Sequence, residues 1–299
     1  MMISRNPFGP GCKRAGGLSK TSMIGVSACA LLVQASVATA AAKDALNGFR
    51  PHKAVYDVSL AEKDDRASNI RGITGRLVYE MDGDVCVGFT TKFRFVLNFS
   101  TPRNEVLSDQ QTTTYEAADG KSFRFASKTY TNQKLETQTV GQANLKDEAL
   151  SVDLKKPEKE TVDLGEAIFP TRHLAKIIEA GREGETFVRS MVFDGADTGT
   201  QTFFTQSVIG KAKTSTPEES EELPVLPATI ASMKYWPVSV SYFKQTDEGN
   251  GEGAPFYQVS FKLYENGITR DLKMAYEDFS LKGVLTSLEP SEGALPSEC

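Results

Sequence analysis

Residues 87–99 read Val-Gly-Phe-Thr-Thr-Lys-Phe-Arg-Phe-Val-Leu-Asn-Phe. Val87, Phe89, Thr91, Phe93, Phe95, Leu97 and Phe99 share one parity, and Lys92 and Arg94 stand on the other. Side chains of a strand alternate between its two faces, so the pattern predicts a strand with one buried face and one wetted face.

The same period of two recurs on both sides. In 52–60, Ala54, Tyr56, Val58 and Leu60 alternate with Lys53, Asp57 and Ser59. In 73–80, Ile73, Leu77 and Tyr79 share one parity. Tyr257, Val259, Phe261 and Leu263 do so in 255–264, and Leu272, Met274 and Tyr276 in 270–276. One apolar and one polar face per strand is the habit of antiparallel sheets. Three dipeptides that favour tight hairpins lie between such runs: Asp82-Gly83, Asp119-Gly120 and Asn266-Gly267. The chain reads as a meander of hairpins, mainly β. Its one predicted helix spans 171–181, with Leu174, Ile177 and Ile178 on one stripe, Thr171 as its cap and Gly181 as its exit. A lone helix of this kind covers a sheet face or plugs a barrel mouth. The polar, acidic stretch 211–224 is expected to be a flexible loop.

The N-terminus has the three parts of a secretory signal. Arg5, Lys13, Arg14 and Lys20 precede an apolar run from Met23 to Val33, and small residues follow from Ala35 to Ala42. Ala38-Thr39-Ala40 fits the cleavage rule, so 1–40 is expected to be removed and 41–299 to form a single β-rich domain in the periplasm. The apolar run is too short for about 30 Å of hydrocarbon, which argues against an anchor. Val26-Ser27-Ala28-Cys29 resembles a lipidation site, but Ala30-Leu31-Leu32-Val33 continues the apolar region past the cysteine. No later segment is long and apolar enough to span a membrane. Removing the four cations takes the formal charge from −5 to −9. That balance disfavours nucleic acid and anionic lipid surfaces as partners.

Of four cysteines, Cys12 and Cys29 leave with the signal. Cys86 and Cys299 remain, in a compartment that oxidises thiols. Two cysteines alone cannot complete a structural zinc site, and a catalytic cysteine would leave its mate free. Counting therefore pairs them as a disulfide.

Chemistry is harder to find. None of the usual catalytic or phosphate-binding motifs is present, and no motif calls for a cofactor. The two histidines, His52 and His173, lack carboxylates at metal-ligand spacing and read as polar contacts. Asp194 and Asp197 lie in Phe-Asp-Gly-Ala-Asp-Thr-Gly, which reads as a turn because it lacks the regular oxygen ligands of a calcium loop. Asp109-Gln110-Gln111 and Thr112–Thr114 form a polar run on a strand, read as a solvated face, with a glycan or a partner as the other reading. Phe89, Phe93 and Phe95 are read as core, with an apolar groove as the alternative.

Several segments together resemble the EipB family of alphaproteobacterial periplasmic cell-envelope integrity proteins. They are Pro51-His52-Lys53-Ala54-Val55-Tyr56-Asp57, Gly75-Arg76-Leu77-Val78-Tyr79-Glu80, Asp109-Gln110-Gln111-Thr112-Thr113, Phe169-Pro170-Thr171, Trp236-Pro237-Val238 and Tyr264-Glu265-Asn266-Gly267, with the C-terminal cysteine. The resemblance covers roughly 50–299. It implies a large antiparallel sheet curled into an unclosed barrel or spiral, similar to periplasmic lipoprotein carriers, and it implies the Cys86–Cys299 disulfide that counting had paired. It also implies a role in envelope integrity and stress resistance without catalytic residues, and a periplasmic tetratricopeptide-repeat protein as partner. Two functions follow as expectations: a non-enzymatic protein that binds a protein partner, or a carrier for lipid or lipoprotein. A hydrolase with an unrecognised acid pair is the weakest alternative.

The cysteine count makes a direct prediction. Thiol titration of the unfolded, unreduced mature protein should read near zero, and two thiols per chain would refute the pairing.

Overall fold

The computed structural model describes residues 45–63, 69–215, 221–244, 253–291 and 299. The expected signal segment lies outside these residues. The chain forms two antiparallel meanders. The first is β1 (His52–Lys63), β2 (Gly72–Asp84), β3 (Gly88–Ser100), β4 (Glu105–Glu116), β5 (Ser122–Thr131), β6 (Lys134–Lys146), β7 (Ala149–Lys156) and β8 (Glu160–Leu164). The second is β9 (Phe187–Val192), β10 (Phe203–Ile209), β11 (Lys213–Thr214), β12 (Lys234–Lys244), β13 (Tyr257–Tyr264), β14 (Thr269–Tyr276) and β15 (Phe279–Pro290).

The meanders join where β1 pairs antiparallel with β15, from His52↔Pro290 to Lys63↔Phe279. One sheet results, in the order β8-β7-β6-β5-β4-β3-β2-β1-β15-β14-β13-β12-β10-β9, with β11 attached to β12. β8 and β9 are neighbours in sequence yet end up at opposite edges, so the sheet is not closed. The connection between them carries helix α1 (Pro170–Glu183). The short α2 (Ala228–Ala231) lies in the second half.

The sheet curls around α1. Ala175, Ile177, Ile178 and Ala180 of the helix share one core with Phe93, Phe95 and Leu97 of β3 and with Trp236, Phe261 and Leu272 of the second meander. A smaller cluster packs Phe123, Phe125, Ala143, Val152 and Leu154 against Phe169 and Phe193. Phe123 stacks on Phe169 with centroids 4.9 Å apart.

Helix α1 begins and ends differently from the expectation. Its N-cap is Phe169, whose side chain cannot accept a bond. Glu116, at the end of β4 and buried, supplies the acceptor: its Oε2 accepts the Thr171 amide at 2.9 Å and its Oε1 the Arg172 amide at 3.3 Å. Arg172 also pairs with Glu116 at 3.6 Å. Thr171 therefore does not cap the helix, because a carboxylate from another strand already fills that role. Gly181 lies inside the helix, where an added Cβ would come within 2.9 Å of the Trp236 ring. Gly184, with φ 79°, is the true exit.

The hairpin turns also differ in part. Asp119-Gly120 and Asn266-Gly267 are turns as expected, with φ 68° at Gly120 and 81° at Gly267. Asp82-Gly83 is not: Gly83 pairs with Phe89 inside the ladder and the turn is Val85-Cys86-Val87. The Oδ1 of Asp84 accepts the Cys86 and Val87 amides there, at 2.7 and 3.0 Å, which closes the loop. Val87 consequently sits 61% exposed on the turn and leaves the aromatic stripe. The ends of the expected flexible loop, 211–224, are held: Lys213–Thr214 pair with β12, and Glu222 is buried. Residues 216–220 of it lie outside the described residues. The Glu222 carboxylate accepts the Asp271 amide at 2.8 Å and the Leu285 amide at 2.6 Å, just beyond Leu272↔Gly283, where the pairing of β14 and β15 ends.

The cap on α1 can be tested by substitution. Glu116→Ala leaves two helix amides without their acceptor and should lower stability by about 2 kcal/mol, whereas Glu116→Gln keeps one acceptor and should lose less. Denaturant melts of both variants check the order, and equal losses would show that the carboxylate oxygens do not act as a cap.

Candidate functional site

The enclosed space beneath the sheet is the first candidate. Phe89, Phe93 and Phe95 point into it and are 4%, 5% and 2% exposed. Cavities of about 20 and 40 Å³ lie beside them, and Phe93, Tyr79 and the helix residue Leu174 line both. Drug-sized ligands occupy roughly 300–1,000 Å³. The helix therefore fills the place where a groove lined by Phe89, Phe93 and Phe95 would lie.

A larger cleft opens where α1 ends. It measures about 490 Å³ and is lined by Arg50, Arg182, Ile230, Met233, Glu265 and Asn266. Its charges largely answer one another: Arg182 pairs with Glu179 at 3.5 Å and with Glu265 at 3.8 Å. The helix C-terminus, a partial negative charge, faces the same end.

Polar groups are buried along the helix as well. The His173 Nε2 lies 3.3 Å from the Thr205 hydroxyl and 3.5 Å from that of Ser207. Thr205 donates its own proton to the Ser190 carbonyl at 3.0 Å, so it can only accept from His173, and Nε2 carries the ring proton. Burial, with the Lys176 ammonium beside it, lowers this imidazole to about 3. His52 donates from Nδ1 to the Arg50 carbonyl at 2.7 Å and is also held below its ordinary value by burial. A serine near a histidine suggests nucleophilic catalysis, but Ser207 is fully buried and no substrate reaches it. The Glu222 carboxyl is raised to about 7, chiefly by burial and then by the neighbouring Asp271 carboxyl. Asp271 is itself lowered: burial pushes it up, and Lys262 at 2.6 Å with Arg270 at 3.0 Å outweighs that.

The remaining expected residues are placed as follows. The Cys86 and Cys299 sulfurs are bonded, with Cα atoms 5.3 Å apart. The bond fixes the last residue to the β2–β3 turn across 213 positions, a loop worth roughly 5 kcal/mol at most in the chain-entropy account. Asp194 and Asp197 lie in the connection of β9 to β10. The Ala196 amide bonds Asp194 and the Gln201 amide group bonds Asp197, at 2.9 and 3.0 Å. Asp109 holds Arg94 through two bonds of 3.1 and 2.8 Å on the outer face. Among the described residues, no group of three or more His, Cys, Asp or Glu side chains is placed to hold a metal ion, and no helix is long and apolar enough to cross a membrane. Sequence reading missed Glu116, Glu222 and Arg270. Glu116 and Glu222 act on segments far along the chain, and Arg270 joins its neighbour Asp271 and the Tyr264 hydroxyl to Ser215.

The sequence and fold of this chain have known counterparts. The EipB-like family model matches residues 43–292. The chain belongs to the EipB-like family. A curated relative is the cell envelope integrity protein EipB of Brucella abortus (strain 2308), 40% identical over 240 residues, which are 80% of this chain and 83% of the relative. A crystal structure of a β-barrel-like protein from Brucella abortus, of a domain of unknown function, matches with a TM-score of 0.77 and 39% identity. That match covers 82% of this chain and 99% of the other. This EipB-like chain thus shares both sequence and fold with its relatives along most of its length.

The buried imidazole of this family member sets a pH dependence. Above pH 6.5 both folded and unfolded His173 are neutral, and stability does not change on its account. Below that value the unfolded chain binds a proton that the folded chain refuses until about pH 3. Stability is lost as pH falls through that window, by at most about 1.4 kcal/mol per pH unit. Glu222 acts oppositely between 4.5 and about 7, since the folded state keeps a proton the unfolded state gives up. Removing it in Glu222→Gln should make the denaturant midpoint fall more steeply from pH 6.5 to 5 than in the parent. The His173 ring resonance should not titrate near 6.5, and an inflection there would contradict its burial as a neutral group.

Proposed function

We propose that this chain is a non-enzymatic protein of the periplasm that supports cell-envelope integrity and stress resistance by binding a protein partner. The observation that carries the reading is the packing beneath β3: the cavities beside the aromatic stripe, of about 20 and 40 Å³, leave no room there for an acyl chain, and we place the protein partner on the outside of the sheet. The name of the Brucella abortus relative, a cell envelope integrity protein, supports the compartment and the role. The resemblance noted in the sequence supports a periplasmic tetratricopeptide-repeat protein as the partner.

One outer patch suits such a partner. Phe187 of β9 and Val208 of β10 face each other across the ladder and are 41% and 54% exposed. The Arg189 guanidinium lies 5.1 Å from the Phe187 ring centroid. An aromatic anchor beside an arginine is the composition of interface hot spots.

A carrier for lipid or lipoprotein is the second reading. It is favoured by the fact that one helix does the filling, with Leu174 against both cavities. In that reading the helix moves out to admit a chain. Two sets of variants separate the readings. Phe93→Ala should cost about 3–5 kcal/mol of stability without changing the binding of an environment-sensitive apolar dye. Phe187→Ser with Val208→Ser should leave stability within about 0.5 kcal/mol but fail to restore detergent resistance to a deletion strain. Mild destabilisation by Phe93→Ala with lost dye binding, or co-purified lipid seen by mass spectrometry, would favour the carrier. Full rescue by the surface pair would remove this patch from the partner interface.

A further inference from the structure

Alternation places Ser108, Gln110, Thr112, Thr114 and Glu116 of β4 on the inner face, the side of Phe93 and Phe95. Directly paired residues share a face, so the rows can be followed outward. Phe93 is followed by Thr112, Ser127 and Thr139, and Phe95 by Gln110, Thr129 and Thr137. Leu97 is followed by Ser108 and Thr131. The inner face turns from apolar to polar at β4 and stays so across the same rows of β5 and β6.

This change divides the core. The larger apolar cluster ends on β3 and the smaller begins on β5, and β4 adds no buried apolar residue to either. Ser108, Gln110, Ser127, Thr129 and Thr131 are partly exposed and Thr137 is exposed, so water reaches this concave trough. Thr112 and Ser127 bond each other at 3.1 Å, and Thr139 donates to the Asp197 carbonyl at 2.6 Å. Ser108, Gln110, Thr129 and Thr137 spend no side-chain hydrogen bond on other described residues. The Leu97 row ends at Lys134 on β6, which pairs with Glu136 at 3.5 Å, and the Ser, Thr and Gln positions before it carry no charge. Lys92, Arg94, Asp109, Arg124 and Lys128 of the same strands stand on the convex face, and Glu116 on the inner face is occupied by the helix amides.

We infer that this concave trough of β4–β6 binds an uncharged, hydroxyl-rich chain, that is, a neutral glycan strand. A lipid would bury hydroxyls without partners, at a cost of roughly 1–3 kcal/mol each. A charged ligand would find one charge, Lys134 at the rim, already paired with Glu136. A polypeptide hydrogen-bonds a sheet at its edge rather than on its face, and serine and threonine are under-represented in protein hot spots. Ser and Thr hydroxyls both donate and accept with freely turning protons, and an amide offers both as well. Sugar hydroxyls have the same dual capacity, so a row of such groups can meet a row of ring hydroxyls in any register. Neighbouring positions lie about 4.8 Å apart across strands and about 7 Å apart along them, which spreads the contacts over more than one sugar. The inference is independent of the partner patch on β9 and β10, which occupies the outer face.

The test titrates the mature protein with two uncharged oligosaccharides, a tetramer of N-acetylglucosamine and a tetramer of β-linked glucose, followed by amide shifts and calorimetry. Binding of at least one is expected, tighter for the tetramer than for its dimer, with shifts on β4–β6. Selectivity between the two assigns an N-acetylated or a plain glycan as the source. Thr129→Val with Thr137→Val removes two hydroxyls and keeps their shape, and it should weaken binding about tenfold. Thr113→Val on the convex face should leave it unchanged. Ser108→Ala gives an independent variant with the same expected direction if the double change disturbs folding. No binding of either tetramer at millimolar concentration overturns the inference, as does binding that the trough variants leave intact. Shifts of the same residues by a neutral peptide but by neither sugar would assign the trough to polypeptide and overturn it as well.

Discussion

Glu116 ties the end of β4 to the start of helix α1, beside the stack of Phe123 on Phe169. Its carboxylate ends β4 beneath the sheet, and the amides of Thr171 and Arg172 bond to it at the start of helix α1. A helix N-terminus carries a partial positive charge and unsatisfied donors, and Phe169 at the cap can satisfy none of them. The buried carboxylate answers both needs at once. Burial raises its pKa, and the Thr171 amide and the Arg172 guanidinium oppose that shift. Arg172 then reaches past Gly120 to the Ala118 carbonyl. An added Cβ on Gly120 would fall 1.6 Å from the Arg172 Nε, so that glycine serves the helix anchor as well as its turn. With the helix held at this point, Leu174, Ile177 and Ile178 are directed into the sheet, and the space against β3 is filled rather than hollow.

Legibility followed the range of the interactions. The stripe from Phe89 to Phe99, the 257–264 and 269–276 strands and the Asn266-Gly267 turn are local patterns, and each is where periodicity puts it. β6 to β8 were harder. Two of their turns run through Asn132-Gln133 and Asp147-Glu148, with positive φ at all four residues and no glycine to announce them. Asp82-Gly83 misled for the opposite reason. Gly83 has φ 99° because the Gly88 carbonyl comes so close that a Cβ would lie 2.1 Å from it, not because a turn is centred there. Thr171 as a cap was a sound local inference that a distant carboxylate overrode. The disulfide was legible through arithmetic and compartment, which need no geometry. The polar trough was legible in part: Gln110 and Thr112–Thr114 stood out as a polar run, but only the pairing of β3 through β6 shows that alternate members face inward.

The two kinds of polar group under the sheet differ in what they are for. Glu116, His173 and Glu222 are buried and have their bonds made within the fold, to a helix end, to hydroxyls and to two strand amides. Such groups specify which segments meet, since an alternative packing would leave them unsatisfied. Ser108, Gln110, Thr129 and Thr137 of the trough are open to water and hold bonds in reserve. An apolar replacement would merge the two core clusters across β4 and extend the buried area. The polar column gives up that burial, and recognition is the property that uses what it keeps exposed.

The sheet stays open because each edge is blocked from meeting the other. β9 cannot accept β8. The Met191 carbonyl receives the Ile168 amide at 2.9 Å and the Phe193 amide returns a bond to Ile168 at 3.0 Å, so the connection from β8 occupies that edge itself. The Arg189 carbonyl is taken by the Lys176 ammonium at 3.1 Å, from the helix. β8 is only five residues long and exposes Glu160, Thr161 and Asp163, the short charged form that discourages further pairing. Closure would require pulling Ile168 and Lys176 off β9, and with them the helix out of the core. The segment that fills the barrel is therefore the same one that prevents it from closing.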